Sequence, residues 1–223
     1  MDIYNYDHFN PADYKFTEFI GPKAGEPYID FEATTLEGEK VSLSDYLDKP
    51  IVLETGSITC PMYANTTKAM NRLQKAYPEV YFLLLYIREA HPGQRTGATK
   101  NLEEKLVNAK ATQRFYGERR DVLVDDVEGT AHKLYGSMPN MTYVIGTNGL
   151  VKFRANWTDI EALEKVLTHI EDESIETQDF YDIKKPSPFT AVRTLMIGGF
   201  SALVEFLSSL PQLLRQHKEV KRG

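Results

Sequence analysis

Cysteine is almost missing from this chain: Cys60 is the only one in 223 residues. A single thiol excludes an intramolecular disulfide and any Cys-x-x-Cys centre, and it suits a reducing compartment. The histidines are scattered, without the spacing of a metal site, so neither a metal nor another cofactor is expected. Basic charge is short as well. Lys and Arg total 26 against 32 Asp and Glu, a formal net charge of −6. That balance speaks against a nucleic-acid surface. Basic residues cluster only at Arg119-Arg120 and in the last part of the chain. Residues 1–10 have neither a basic n-region nor an apolar h-region, so no signal peptide is read. The expected location is cytoplasmic, with membrane association left open. The 42% hydrophobic and 26% charged contents fit a soluble globular protein with one well-cored domain plus additions.

The single cysteine lies where an apolar strand turns into a helix. Pro50-Ile51-Val52-Leu53 reads as a buried strand, and Ala64 to Tyr77 as a helix with Met70 and Leu73 on its apolar face. Between them runs Glu54-Thr55-Gly56-Ser57-Ile58-Thr59-Cys60-Pro61-Met62-Tyr63. A helix N-terminus offers free N–H groups and positive potential, which favour thiolate over thiol. Pro61 has no N–H to lose and fits the first turn. Ser57 and Thr59 can offer hydroxyls to the sulfur or to a substrate. Lone cysteines are commonly small buried hydrophobes, but the polar Gly-Ser-x-Thr approach and the following proline favour a reactive Cys60.

Residues 1–20, with Tyr4, Tyr6, Phe9, Tyr14, Phe16 and Phe19, read as an aromatic extension packed on a domain spanning 21–170. Ile29–Ala33 and Val41–Leu43 form a hairpin around Glu37-Gly38. Val80 to Ile87 is a nearly continuous apolar run, as in a strand covered on both faces. Glu89-Ala90-His91-Pro92 follows at its C-terminal end, where open α/β sheets place their chemistry. Asn101 to Tyr116 reads as a helix with Leu102, Leu106, Ala109 and Phe115 inward. Then come a strand at Val122–Asp125, a short helix at Thr130–Tyr135, a hairpin of Met141–Ile145 with Leu150–Arg154, and a helix at Thr158–Ile170. His132, His169 and His217 read as surface residues. Residues 171–188 read as a linker and 189–223 as an apolar helix with a basic tail. For Leu195–Leu214 three placements are open: packing on the domain or in a dimer, lying on a membrane surface through 189–215, or spanning a membrane. The order predicts an α/β thioredoxin-like fold: a central mixed sheet with flanking helices, an N-terminal β-hairpin of peroxiredoxin type and an extra C-terminal helix. In that fold the proline before the late strand lies beside the cysteine, so Met138–Pro139 is expected to be cis.

Gly56-Ser57-Ile58-Thr59-Cys60-Pro61 resembles the selenocysteine motif of the iodothyronine deiodinases, with Cys60 in the selenocysteine position. Leu84-Leu85-Tyr86-Ile87-Arg88-Glu89-Ala90-His91-Pro92 resembles that family's second motif, and Asn101-Leu102-Glu103-Glu104-Lys105 its following helix. The similarity runs over residues 40–170. On it the chain is identified as a cysteine-containing, microbial-type member of that family, within the thioredoxin-like/peroxiredoxin superfamily. The resemblance implies that Tyr86, Glu89 and His91 line the site of Cys60. Cys60, His91 and Glu89 would be catalytic, supported by Ser57, Thr59, Pro61, Tyr86 and Pro139. The implied reaction is reductive dehalogenation of an iodothyronine or other iodinated aromatic. An external thiol such as thioredoxin, glutathione or dithiothreitol would be the reductant, and a homodimer is favoured. The family's helix-opening histidine falls near Thr99 and its hormone-gripping arginine around Asn156-Trp157, and this chain has neither. Residues 25–60 equally resemble peroxiredoxins, with Ser57 three before the cysteine and Arg154 or Arg88 as the partner arginine. That implies a one-Cys thiol peroxidase as an alternative. A non-catalytic thioredoxin-like binding module is the third reading.

Overall fold

The apolar runs pair into one mixed eight-stranded sheet of order β2-β1-β5-β4-β3-β6-β7-β8 in a computed structural model, which describes residues 4–14, 20–136, 138–170, 178–180 and 184–220. The strands are β1 (Glu32–Thr35), β2 (Lys40–Ser42), β3 (Ile51–Gly56), β4 (Tyr81–Tyr86), β5 (Asp121–Val124), β6 (Thr142–Ile145), β7 (Val151–Ala155) and β8 (Gln178–Phe180). The helices are α1 (Pro61–Ala76), α2 (Leu102–Tyr116), α3 (Thr130–Leu134), α4 (Ile160–Leu167), α5 (Pro188–Gly198) and α6 (Phe200–Val220). β1 and β2 are the expected antiparallel hairpin.

β3 and β4 run parallel in register from Ile51↔Tyr81 to Gly56↔Tyr86. Their C-terminal ends therefore coincide, and the turns after them, 57–60 and 87–91, leave the sheet side by side. β3 is buried along its whole length. Leu53 packs with Leu83, Leu85 and Tyr143 on one face, and Val52 with Met70, Phe82 and Leu163 on the other. This two-faced burial is why both central strands read as unbroken apolar runs.

Several expectations are corrected. Met138–Pro139 is trans, since no peptide bond among the described residues is cis. The Met138 carbonyl accepts from Thr55 and meets His132 Nε2, which fixes this turn without a cis bond. His132 is fully buried, its Nδ1 2.8 Å from the Tyr4 hydroxyl. His169 is exposed as expected, while the His217 side chain, Phe16 and Phe19 lie outside the described residues. Arg120 belongs to no basic surface: it is buried, 2.6 Å from both Glu54 Oε2 and Glu118 Oε2. On α2, Ala109 is buried with Leu102 and Leu106 packed beside it, but Lys105 and Thr112 share the inner face and Phe115 points out. Lys105 buries its stem and donates Nζ to the Asp126 carbonyl at 2.6 Å.

Part of the stretch read as linker forms β8, which pairs parallel with β7. The apolar C-terminal stretch is two helices, parted at Gly199, where φ of +117° suits glycine alone. They pack on the domain through Leu195, Ala202 and Leu213. No helix among the described residues is long and apolar enough to cross a membrane, so the spanning placement falls.

Candidate active site

Cys60 is the N-cap of α1, with Pro61 at the first helical position. Its N–H donates to the Ser57 carbonyl at 3.0 Å, and its own carbonyl starts the helix by accepting from Ala64 N–H. The turn is held from outside as well. Tyr86, the last residue of β4, accepts the Ile58 N–H on its hydroxyl, and the Tyr116 hydroxyl of α2 donates to the Ile58 carbonyl.

The loop after β4 closes on this turn. Thr59 Oγ1 donates to Glu89 Oε2 at 2.6 Å and accepts the His91 N–H at 3.2 Å. Tyr86 Oη donates to Glu89 Oε1 at 2.5 Å, and Asn108 Nδ2 of α2 donates to the same oxygen. Ser57 Oγ accepts the Ala90 N–H. The Ser57 and Thr59 hydroxyls, expected to serve the sulfur or a substrate, brace the 89–91 loop here. Arg88, next to Glu89 on extended chain, faces the other way. It donates to the Tyr4 carbonyl and lies against the rings of Tyr4, Tyr6 and Tyr14. Arg154 bonds the Gly21 and Pro22 carbonyls.

The electrostatics are those of a closed site. Cys60 is 1% exposed. Burial pushes its thiol up to about 12; the Tyr63 and Met62 amides of α1 pull it down, and the Glu54 and Glu89 carboxylates add to the rise. The expected thiolate is therefore a neutral thiol here, because desolvation outweighs the helix terminus. Glu89 is raised by burial against the bonds from Thr59 and Tyr86. His91 is lowered to about 3 by burial and stays neutral. Phe9 lies tilted against its ring at 4.2 Å between centroids and Phe206 of α6 meets it edge-on at 5.3 Å.

Three buried residues near or beyond this turn keep polar side-chain atoms without a hydrogen-bond partner among the described residues: His91 Nδ1, Thr99 Oγ1 and both amide atoms of Asn156. Asn156 follows β7 at the sheet end that also carries Cys60, as the Glu54↔Thr142 and Thr142↔Ala155 pairs require. Buried polar atoms are rarely left so. A groove of about 420 Å³ between α2 and α5 reaches the site at Ile58 and Asn108, with Phe115, Met196 and Arg193 along it. Pro139 is half-buried in the turn before β6. Among the described residues no group of histidine, cysteine or carboxylate side chains is placed to hold a metal ion.

Sequence reasoning missed Asn108, Tyr116 and Phe206, and reached Asn156 only as the place where the family's arginine is absent. For Asn108 the one available signal was a polar residue seven after the Asn101 cap, two helical turns along α2.

Residues 20–157 match the family described as iodothyronine deiodinase. Among curated proteins, the thyroxine 5-deiodinase of Bos taurus is 28% identical over 134 residues, covering 56% of this chain and 44% of that protein. That of Sus scrofa is 32% identical over 108 residues, covering 44% of this chain and 35% of that protein. The matches thus span less than half the length of these relatives. Among solved structures, a putative thiol:disulfide interchange protein from Chlorobium tepidum aligns with a TM-score of 0.54 at 20% identity, over 67% of this chain and 99% of that one. A thioredoxin-like protein from Aeropyrum pernix aligns with a TM-score of 0.51 at 17% identity, over 62% and 88%. These likenesses carry the fold, which is thioredoxin-like.

Proposed function

Since the chain belongs to the iodothyronine deiodinase family, we propose that Cys60 performs reductive dehalogenation of an iodinated aromatic, with an external thiol as reductant. One observation supports this most: the Thr59 hydroxyl ties the cysteine turn to Glu89 and His91, so a nucleophile and two proton-handling groups share one buried end of the sheet. The closed form holds a neutral thiol. Parting Phe9 and Phe206 from His91 would admit substrate and water, and the Met62 and Tyr63 amides would then favour the thiolate.

In the proposed step the thiolate attacks iodine. An S–I bond forms and the C–I bond breaks, its electron pair staying on the ring carbon. That carbon takes a proton from the carboxyl of Glu89, directly or through His91. Carbon is reduced and sulfur is oxidised to a sulfenyl iodide. A first reductant thiol displaces iodide as a mixed disulfide, and a second restores Cys60, giving one disulfide and iodide overall. With one cysteine in the chain, both thiols must come from outside. Thioredoxin, glutathione or dithiothreitol would serve.

Iodide release from thyroxine under excess dithiothreitol, comparing wild type with Cys60→Ser, tests this. Release confined to wild type is expected; none above the variant would remove the proposal. The full burial of Cys60 favours a second reading, a binding module without chemistry. A wild-type protein that neither releases iodide nor consumes peroxide would establish that reading, whereas peroxide turnover alone would favour a one-Cys thiol peroxidase.

A further inference from the structure

Helix α6 is apolar on two opposite faces. One is spent on the domain: Ala202 and Leu213 are buried and Phe206 meets His91. The other carries Phe200, Val204, Leu207, Pro211 and Leu214. At 100° per residue these five fall within a single stripe. All are exposed: Phe200 62%, Leu207 56%, Val204 46% and Leu214 42%, with Pro211 beside them. Apolar side chains lined up in water mark an interaction surface rather than scatter.

Charge selects the occupant. Residues 189–223 hold five basic residues (Arg193, Arg215, Lys218, Lys221, Arg222) against Glu205 and Glu219, a net +3 in a chain of −6. The stripe itself contains no acid. Glu205, the one carboxylate between Phe200 and Leu214, is turned to the inner side, where it accepts from the Phe9 N–H and pairs with His8 at 2.7 Å. Arg215 stands exposed next to Leu214. An apolar stripe free of anions, with Arg215 at its border and Lys218, Lys221 and Arg222 following in sequence, complements an anionic, hydrocarbon-cored surface. A second copy would bring the same cations against these. No helix among the described residues is long and apolar enough to cross a bilayer, and the contact proposed for α6 lies along its surface.

We infer that the outer face of α6 docks on anionic lipid membranes, lying in the interface with Phe200, Val204, Leu207 and Leu214 among the acyl chains. The full chain is tested by flotation with vesicles of phosphatidylcholine alone and of equal parts phosphatidylcholine and phosphatidylglycerol. Binding to the anionic vesicles is expected to exceed that to neutral ones by roughly tenfold or more, and to fall at about 0.5 M salt. Val204→Ser with Leu207→Ser should abolish it, and so should Phe200→Ser with Leu214→Ser. Unchanged thermal melts, expected at exposed positions, exclude misfolding as the cause. No vesicle binding, equal and salt-insensitive binding to both vesicles, or binding retained in both double variants would each overturn the inference. So would light scattering that shows a dimer which those substitutions dissociate, for the face would then belong to a second copy.

Discussion

Thr59 Oγ1 serves two partners with one atom, giving its proton to Glu89 and taking the His91 N–H. Thr59→Val keeps the shape and removes both bonds. A drop in kcat of roughly 10–100-fold is expected, with KM nearly constant, because the proton donor loses its placement while the substrate contacts remain. Thr59→Ser should restore most of the rate; a KM effect alone would contradict the role. The thiol makes a separate prediction. With the Cys60 pKa near 12, alkylation by iodoacetamide should keep rising with pH past 10 in the folded protein, yet level off near 9 once urea unfolds it. A plateau near neutrality in the folded state would mean the site stands open. These residues were legible because they are local: Ser57, Thr59, Cys60 and Pro61 share one turn, and Tyr86, Glu89 and His91 share another. The partners that finish the site were not. Asn108 and Tyr116 reach it from α2, Phe9 and Phe206 from the two ends of the described chain, and no spacing encodes such encounters. The pKa was misjudged for the same reason, since a helix N-terminus is visible in sequence and the depth of burial above it is not.

At the scale of elements, α5 and α6 form a cover tied to the loop after His91. The Gly198 carbonyl accepts the Arg95 N–H at 2.9 Å, and Gln94 Oε1 accepts from Ser201. The approach at Gly198 permits no side chain: a Cβ there would stand 2.5 Å from the His91 carbonyl oxygen. Gly198→Ala must therefore push α5 away from the loop. Alkylation of Cys60 at fixed pH should rise about tenfold or more, reporting a local opening made easier without global unfolding. Phe206→Ala, which removes a ring from His91, should act in the same direction, and Leu207→Ala on the outer face should change nothing. Equal rates in all three would show that the cover does not gate the thiol. The sequence displayed Gly198-Gly199 as an interruption in an apolar run, but whether that run spanned, lay on or packed depended on the surface waiting for it. α2 shows the converse error. Its inward face was expected at Leu102, Leu106, Ala109 and Phe115; Ala109 is buried and Leu102 and Leu106 pack beside it, but Phe115 turns out and Lys105 goes inside, where the Asp126 carbonyl accepts its ammonium.

Over the whole molecule, stability depends on charges taken out of water and then paired. Arg120 lies between Glu54 and Glu118, and Glu54 also accepts from Thr66, Asn140 and Thr158. Arg120→Ala would strand two carboxylates in the core and cost about 3–5 kcal/mol, measurable as a shift in the urea midpoint with little change in slope. The histidines add a dependence on pH. His91 folds with a pKa of about 3, against roughly 6.5 unfolded. Between those values the unfolded chain binds a proton that the folded chain refuses, so stability is present above 6.5 and is lost as pH falls. His132, lowered by burial and by Arg88, acts with the same sign. Each can contribute up to about 1.4 kcal/mol per pH unit across its window. Glu89 and Asp125, raised by burial, oppose this where their protonation differs between the states. The single-site difference is therefore the quantity to measure. His91→Phe places an apolar ring among Phe9 and Phe206 and titrates nothing. Urea unfolding from pH 7 to pH 4 should show wild type losing stability more steeply than this variant, by about 1.4 kcal/mol per pH unit below 6.5. Parallel slopes would mean that His91 takes up its proton in the folded state, and hence that the cover over the cysteine is open in solution.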